Sequence, residues 1–362
     1  MVSGDSTRAA WAALLAVFCA HVFSVLITTP PEVIGKERKQ PILAAGLSTK
    51  VEEAVLGAQK EPAKVSTADH PKPETRRAPV RVATSKPAAE DDPFLVAYQG
   101  LGSWIDLFNR GVWRNPSWTV RKMDKRGVRT IYLQTSTYGS SSPIVYPRKV
   151  AEFIAAAHRR DMYVIGWSVP SFTQPKRDLR RAAAAVRFKT GKGERFDSFG
   201  LDIEADIIRS IWKRNNRLMD ISKKLRRVAG TDFPLGAIIP DPHSLYWPNF
   251  PYKRVAAVYD VMVPMGYFTF SARGYKNVRN YTTKNIRAIR NQTGDRETPI
   301  HVIGGIADDV GVAAARGFIR AIKEHEVLGA SLYDFPITSD KTWKELSAVP
   351  QAPKGGRRSA KP

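Results

Sequence analysis

The sequence predicts a parallel α/β fold, with eight strand–helix units closed into a single (β/α)8 barrel. Three observations predict it. From about Phe94 to Val349, short apolar segments alternate with amphipathic helical patterns. Eight such units suit the length of about 250 residues that a closed barrel needs. The first strand runs into Asn109-Arg110-Gly111-Val112-Trp113, not into the glycine-rich phosphate loop that usually marks an open, doubly wound sheet.

The expected strands cover 103–108, 130–135, 163–167, 198–204, 235–239, 260–265, 300–303 and 330–335. Each is a short apolar run, as expected of a parallel strand covered on both faces. Helical patterns cover 147–160, 176–188, 205–228, 283–292 and 310–325. Pro147 stands at a first helical turn, where its missing N–H is harmless. Asp308 or Asp309 is expected to cap the helix starting near Val310. Gly329 is expected to follow the C-terminal end of that helix.

Outside this barrel, assigned to 93–349, three segments stand apart. Residues 1–30 read as a signal anchor or signal peptide. Their stretch 9–27 is apolar but for His21 and Ser24, long enough to span a bilayer. No small-residue cleavage site follows, which favours an uncleaved anchor. Residues 31–92, rich in Pro, Ala, Lys, Glu and Thr, read as a disordered linker. Residues 350–362 form a short basic tail. The barrel is therefore expected outside the cytoplasm, membrane-anchored or secreted, and monomeric.

The 362-residue chain carries a formal charge of +23. Its basic residues recur on expected outer helix faces, as with Arg177, Arg180 and Arg181, and no nucleic-acid motif accompanies them. Anionic wall polymers or lipid headgroups suit such a surface; nucleic acid is not expected. Cys19 is the only cysteine, so neither an intramolecular disulfide nor a cysteine zinc site can form. The six histidines show no HExxH spacing. No cofactor or bound metal is expected, although a carboxylate-held Mg or Ca stays as an alternative.

The chemistry points to Asp197-Ser-Phe-Gly-Leu-Asp202-Ile-Glu204. Residues two apart on a strand share a side, so Asp202 and Glu204 project together. Two carboxylates ending a buried strand are costly unless a function or an ion pair holds them. Their mutual repulsion is expected to keep Glu204 protonated as a general acid while Asp202 stays ionised. Asp197, at the far end of the strand, reads as structural. The active site of such a barrel forms where its strands end. Asp106, Gln134, Tyr138, Trp167, Asp241, Met265, Tyr267, Tyr333 and Asp334 are expected there as substrate contacts. Trp104, Trp113, Trp118, Phe172, Tyr246, Trp247 and Phe268 are candidate sugar platforms, of which two or three are expected to touch ligand. Gly304-Gly305 resembles a barrel phosphate site, but Asp308 and Asp309 would repel phosphate.

These residues resemble the D-x-x-D-x-D-x-E signature of glycoside hydrolase family 18. Asp197, Asp202 and Glu204 fall on its first, third and last acids, and Gly200 stands at the second. Met265-Gly-Tyr267 resembles that family's Met-x-Tyr. The resemblance implies Glu204 as general acid. It implies that Asp202 orients a substrate acetamido group whose oxygen is the nucleophile, with Tyr267 hydrogen-bonded to that group. Tyr333-Asp334 stands where the family usually has a tryptophan. The family 25 muramidases are also similar, with Asp106 and Asp334 as their further aspartates. The expected function is hydrolysis of an N-acetylhexosamine-containing glycan, chitin- or peptidoglycan-like. The alternatives are an inactive glycan- or wall-binding barrel and a carboxylate–metal hydrolase.

Overall fold

The computed structural model describes residues 92, 94–243 and 247–351. The apolar stretch 9–27, the linker up to residue 91, residues 352–362 and Tyr246 lie outside the described residues. Among the described residues, no helix is long and apolar enough to cross a membrane.

Eight parallel strands close into one barrel in sequence order. They are β1 (Gly100–Ile105), β2 (Thr130–Thr137), β3 (Tyr163–Val169), β4 (Ser198–Asp202), β5 (Leu235–Pro240), β6 (Val261–Met265), β7 (His301–Ile306) and β8 (Gly329–Tyr333). β1 pairs with both β2 and β8, which closes the ring. The strand period of two divides their side chains into two apolar layers. Leu101, Ile131, Leu133, Phe199, Leu201 and Ile203 face the helices. Trp104, Tyr132, Ile165, Trp167, Ile238, Val263 and Met265 fill the barrel itself.

The barrel's lower end is plugged from within the chain. A short turn, Val96–Tyr98, precedes β1 and sends Tyr98 into the interior, where its hydroxyl meets Ser198 Oγ at 2.6 Å. Gly236 makes the room, because a Cβ there would lie 2.5 Å from the Tyr98 hydroxyl. Above the plug, Trp104 stacks on Tyr132 with ring centroids 4.2 Å apart, and meets Trp167 edge-on at 5.5 Å. Burial pushes the His301 imidazole down to about 4, so it is neutral at pH 7. Its Nδ1–H donates to the Tyr98 carbonyl (2.8 Å), which leaves Nε2 to accept from the Ser331 hydroxyl (3.1 Å). Ser331 in turn accepts from Trp104 Nε1 at 2.9 Å. This buried polar chain is therefore satisfied from end to end.

The helices are α1 (Arg110–Arg114), α2 (Pro116–Lys125), α3 (Pro147–His158), α4 (Pro175–Val186), α5 (Ile211–Ala229), α6 (Tyr252–Ala256), α7 (Gly274–Thr293), α8 (Val312–Glu324) and α9 (Asp340–Leu346). Four of them, α1, α2, α6 and α9, were not expected. Three expected boundaries are corrected. The helix expected from 205 begins at Ile211, where Ser210 accepts from Lys213 N and caps it. The helix expected from 283 begins nine residues earlier, at Gly274. Asp308 and Asp309 do not cap α8: Ala307–Asp309 form a separate 3-10 turn, and Gly311 holds the cap position without a side-chain bond.

Gly329 does not close a helix but opens β8 against the plug. A Cβ there would lie 2.4 Å from the Gly100 carbonyl oxygen and 2.6 Å from that of Tyr98. Neither backbone atom can move without opening the β1–β8 seam. Gly329→Ala is therefore expected to destabilise the fold by about 1–3 kcal/mol or more. Gly191→Ala, in an exposed turn where the new Cβ meets nothing within 4 Å, is expected to leave the melting temperature unchanged. Thermal melting of the two variants beside the parent chain checks this.

Candidate active site

The site grows out of β4. Ser198, Gly200 and Asp202 share one side of this strand, and Glu204 follows two residues beyond its end. Asp197 closes the other end. Its Oδ2 accepts from Val164 N (2.7 Å) and meets His158 Nε2 at 3.0 Å, a structural tie as expected. At Gly200 a Cβ would lie 2.9 Å from Ile238 Cδ1 and 3.7 Å from Trp167 Cβ. The place of the second signature acid is thus filled from β3 and β5, and the floor below Asp202 is apolar.

Asp202 is 6% exposed, and its Oδ1 has no hydrogen-bond partner. Burial holds its carboxyl well above the usual carboxylate range, and Glu204 beside it adds to the shift. Glu204 is half-buried; burial first, and then the charge of Asp206, push it up to about 7. Asp202 is the deeper group and its Oδ1 lacks a donor that would steady its anion, so both carboxyls of the pair, and not Glu204 alone, are pushed toward the protonated form. Glu204, nearer to solvent, is the carboxyl that exchanges a proton close to neutrality.

Across the mouth stands a second acidic group. β8 lies four strands away from β4 in the closed ring. Tyr333 donates its hydroxyl to Asp106 Oδ2 at 2.9 Å. The other oxygen of Asp106 accepts from Phe108 N (2.8 Å) and Asn109 N (3.0 Å), which turns the chain and ends β1 before the expected position. Asp334 is 5% exposed; burial and the neighbouring Asp106 push it up to about 7. Tyr267, two residues beyond β6, joins the two groups. Its phenol is raised first by burial and then by Glu204, Asp202 and Asp334.

The remaining expected contacts divide. Trp167 and Met265 are part of the interior cluster, with Tyr138 partly buried against it. The indole N–H of Trp167 has no partner. Gln134, 2% exposed, accepts from Leu107 N at 2.9 Å and ties β2 to the loop after β1. Asp241 is engaged elsewhere: it accepts from His243 N, from the Tyr281 hydroxyl and from Asn285 Nδ2. It fastens the loop after β5 to α7, so the expectation that it contacts substrate is set aside. Trp113, Phe172, Trp247 and Phe268 are buried in the outer layer, and Trp118 lies on the outside of α2. Trp104 alone of the described candidate platforms stands inside the barrel.

One feature of the rim was not anticipated. Phe108, Ile207, Trp212, Phe270 and Ile337 are 47, 51, 76, 40 and 38% exposed, on segments following β1, β4, β6 and β8. Apart from Trp212, which lies in the first turn of α5, an apolar residue placed between a strand end and the next helix is the signal that could have found them. Among the described residues, no three His, Cys, Asp or Glu side chains gather to hold a metal ion.

No protein-family model matches the chain, and no curated protein does. Solved structures do match in shape. The spore cortex-lytic enzyme SleL of Bacillus cereus superposes with a TM-score of 0.52 at 7% identity, over 69% of this chain and 74% of that one. A chitinase from Chromobacterium violaceum gives 0.50 at 10% identity, over 69% and 98%. An endo-1,4-beta-mannanase from Rhizomucor miehei gives 0.50 at 9% identity, over 65% and 86%. The chain is therefore an eight-stranded parallel α/β barrel of the fold that the resemblance to glycoside hydrolase family 18 implied.

Proposed function

We propose that this barrel hydrolyses O-glycosidic bonds in an N-acetylhexosamine-containing glycan, chitin- or peptidoglycan-like, with Glu204 as general acid. One observation carries the reading. A half-buried carboxyl pushed up to about 7 stands at the barrel mouth, beside a buried carboxyl and a tyrosine. A general acid works best when its pKa lies near the working pH. Similarity in fold to chitinase, mannanase and cortex-lytic structures supports a polysaccharide as substrate.

In the mechanism, Glu204 gives its proton to the leaving oxygen as the bond from that oxygen to C1 breaks. The substrate's acetamido oxygen closes on C1 in its place. Asp202 Oδ1, unpartnered in the structure, accepts from the acetamido N–H, and the Tyr267 hydroxyl donates to its oxygen. Water then attacks C1 as the bond from the acetamido oxygen to C1 breaks, and gives a proton back to Glu204. Asp106, Tyr333 and Asp334 form the facing wall of the cleft, and Gln134, Tyr138, Trp167 and Met265 shape its base. The apolar stretch 9–27 and the linker support a barrel tethered outside the cytoplasm, acting as a monomer.

A second reading is a glycan-binding barrel without turnover. The filled space at Gly200 and the tyrosine at 333 favour it. Release of reducing ends from N-acetylglucosamine oligomers separates the two. Glu204→Gln is expected to lower that release by about 10²–10⁴-fold while glycan binding and fold persist. Retained glycan binding with no reducing ends from the parent chain would establish the binding-only reading.

The acid form of Glu204 is the active one, so the rate is expected to fall as pH rises through about 7. Stability carries the same sign. Glu204 and Asp334 both bind their protons more tightly in the folded chain, each with a folded value of about 7. Folding is therefore least hindered below the ordinary carboxylate range and loses stability as pH rises from there to about 7. Glu204→Gln removes part of that loss. It is expected to raise stability at pH 8 by on the order of 2 kcal/mol, allowing for partial exposure, and to change little at pH 4. Melting curves at the two pH values check it.

Gly200→Asp restores the signature acid but drives a carboxyl against Ile238. It is expected to cost about 1–3 kcal/mol of stability and to give no gain in turnover. A rise in turnover would show that the missing acid, and not packing, limits the site.

A further inference from the structure

We propose that the outer face of α2 is a second binding surface, and that its ligand is an anionic polysaccharide. Trp118, Arg121, Lys122 and Lys125 follow one another at i, i+3, i+4 and i+7, the spacing of a single helix face. All four are exposed, and Trp118 is 46% exposed. Lys122 Nζ lies 3.8 Å from the centre of the Trp118 ring, covering one face of it. A groove of about 720 Å³ runs between this stripe and the chain after β8, with Pro336 and Trp343 on its far wall. A second hollow, of about 410 Å³, opens on the other side of Arg121 and is lined by Ser117, Arg159 and Arg160.

The charge of this face is not cancelled locally. Arg126 pairs with Asp340 at 2.5 Å and Arg160 with Asp124 at 3.1 Å, which uses up both acids. Among the described residues, Arg121, Lys122, Lys125 and Arg159 take part in no ion pair. Like charges gathered without counter-charges raise the local potential and attract a polyanion. Cations one helical turn apart, about 5.4 Å, suit a chain that carries an acidic group on each sugar. The open side of the Trp118 indole offers a flat apolar surface to a sugar ring. A single indole with one face taken by lysine is a poor match to single-stranded nucleic acid, which needs successive stacking platforms. The choice of a sugar polymer rests on the reading of the mouth as a glycan site. The two surfaces are complementary in sign: the acidic mouth repels anionic stretches, which the helix face can hold.

The test uses the full chain carrying Glu204→Gln, with polygalacturonate as the probe. N-acetylglucosamine oligomers report on the mouth, and single-stranded DNA is the competing polyanion. Binding of polygalacturonate is expected to weaken as salt rises. Adding Arg121→Glu, Lys122→Glu and Lys125→Glu together is expected to weaken it by about tenfold or more. Trp118→Ala is expected to weaken it severalfold, with oligomer binding unchanged in both variants. Unchanged polygalacturonate affinity in either variant overturns the proposal, as does a preference of the parent surface for DNA. Should the triple variant not fold, Trp118→Ala with Lys122→Gln decides the matter on the same readout. Failure of the parent chain to cleave any glycan refutes the catalytic reading alone, because polygalacturonate binding at α2 is measured separately.

Discussion

An acidic side chain at the rim of a closed barrel sits on whatever the barrel contains. Here the filling is aromatic and aliphatic: Trp104 on Tyr132, with Trp167 and Ile238 at the level of Gly200. A carboxyl directly above such a floor loses water on its inner side and gains no donor in return. Asp202 shows the result most fully and Glu204 in part. The floor depends in turn on the plug below it. Tyr98 fills the space left by Gly236, and the Tyr98–His301–Ser331–Trp104 chain fixes the ring on which the upper layer rests. The protonation of the mouth is thus set partly by packing at the opposite end of the barrel.

This dependence explains which parts of the molecule were legible in the sequence. A strand's period of two carries a side chain's direction along with it. Once Trp104 is inside, Asp106 follows; Trp167 fixes its own strand, and Met265 leads to Tyr267. The eight strands and most of the mouth were therefore readable without coordinates. The failures lie where direction is set by a distant partner. Asp241 follows β5 as plausibly as Glu204 follows β4, but Tyr281 and Asn285, some forty residues on, draw it into α7. Ala205, Ile207 and Ile208 carry a helix-like apolar spacing, yet the helix does not start until Ile211. The desolvation of Asp202 was not legible, because repulsion between neighbours is visible in a sequence and the absence of a donor is not.

Charge is distributed with a similar division. The chain carries +23 overall, while its mouth gathers Asp106, Asp202, Glu204 and Asp334. Four full negative charges in one depression would repel each other strongly in a poorly solvated space. Protonation relieves that repulsion, and burial promotes it at Asp202, Glu204 and Asp334. The ion pairs of the outer helices follow the opposite rule. Glu324 and Glu345 are lowered by hydrogen bonds to arginines and lie where water screens them.

The two departures from the family 18 pattern take on a different meaning in this setting. On the mechanistic reading, a second signature acid serves Asp202 by making its anion costly. Here the Trp167–Ile238 floor makes it costly by desolvation, without a charged neighbour. Gly200 then follows from the floor: an aspartate would occupy the same space and hold a charge in the least solvated layer. The same logic applies at β8. Tyr333 replaces an indole with a phenol whose hydroxyl donates to Asp106 at 2.9 Å, and Asp106 in turn raises Asp334. Asp334 is thus a second acid near neutrality, following the strand that lies opposite β4 in the ring. A barrel that had merely lost its catalytic acids would be expected to relax toward neutral polar or apolar residues at the mouth, since unpaired buried carboxyls destabilise the fold as pH rises. This chain keeps Asp202, Glu204 and Asp334 with raised proton affinity at one end of the barrel, as the proposed proton transfer requires.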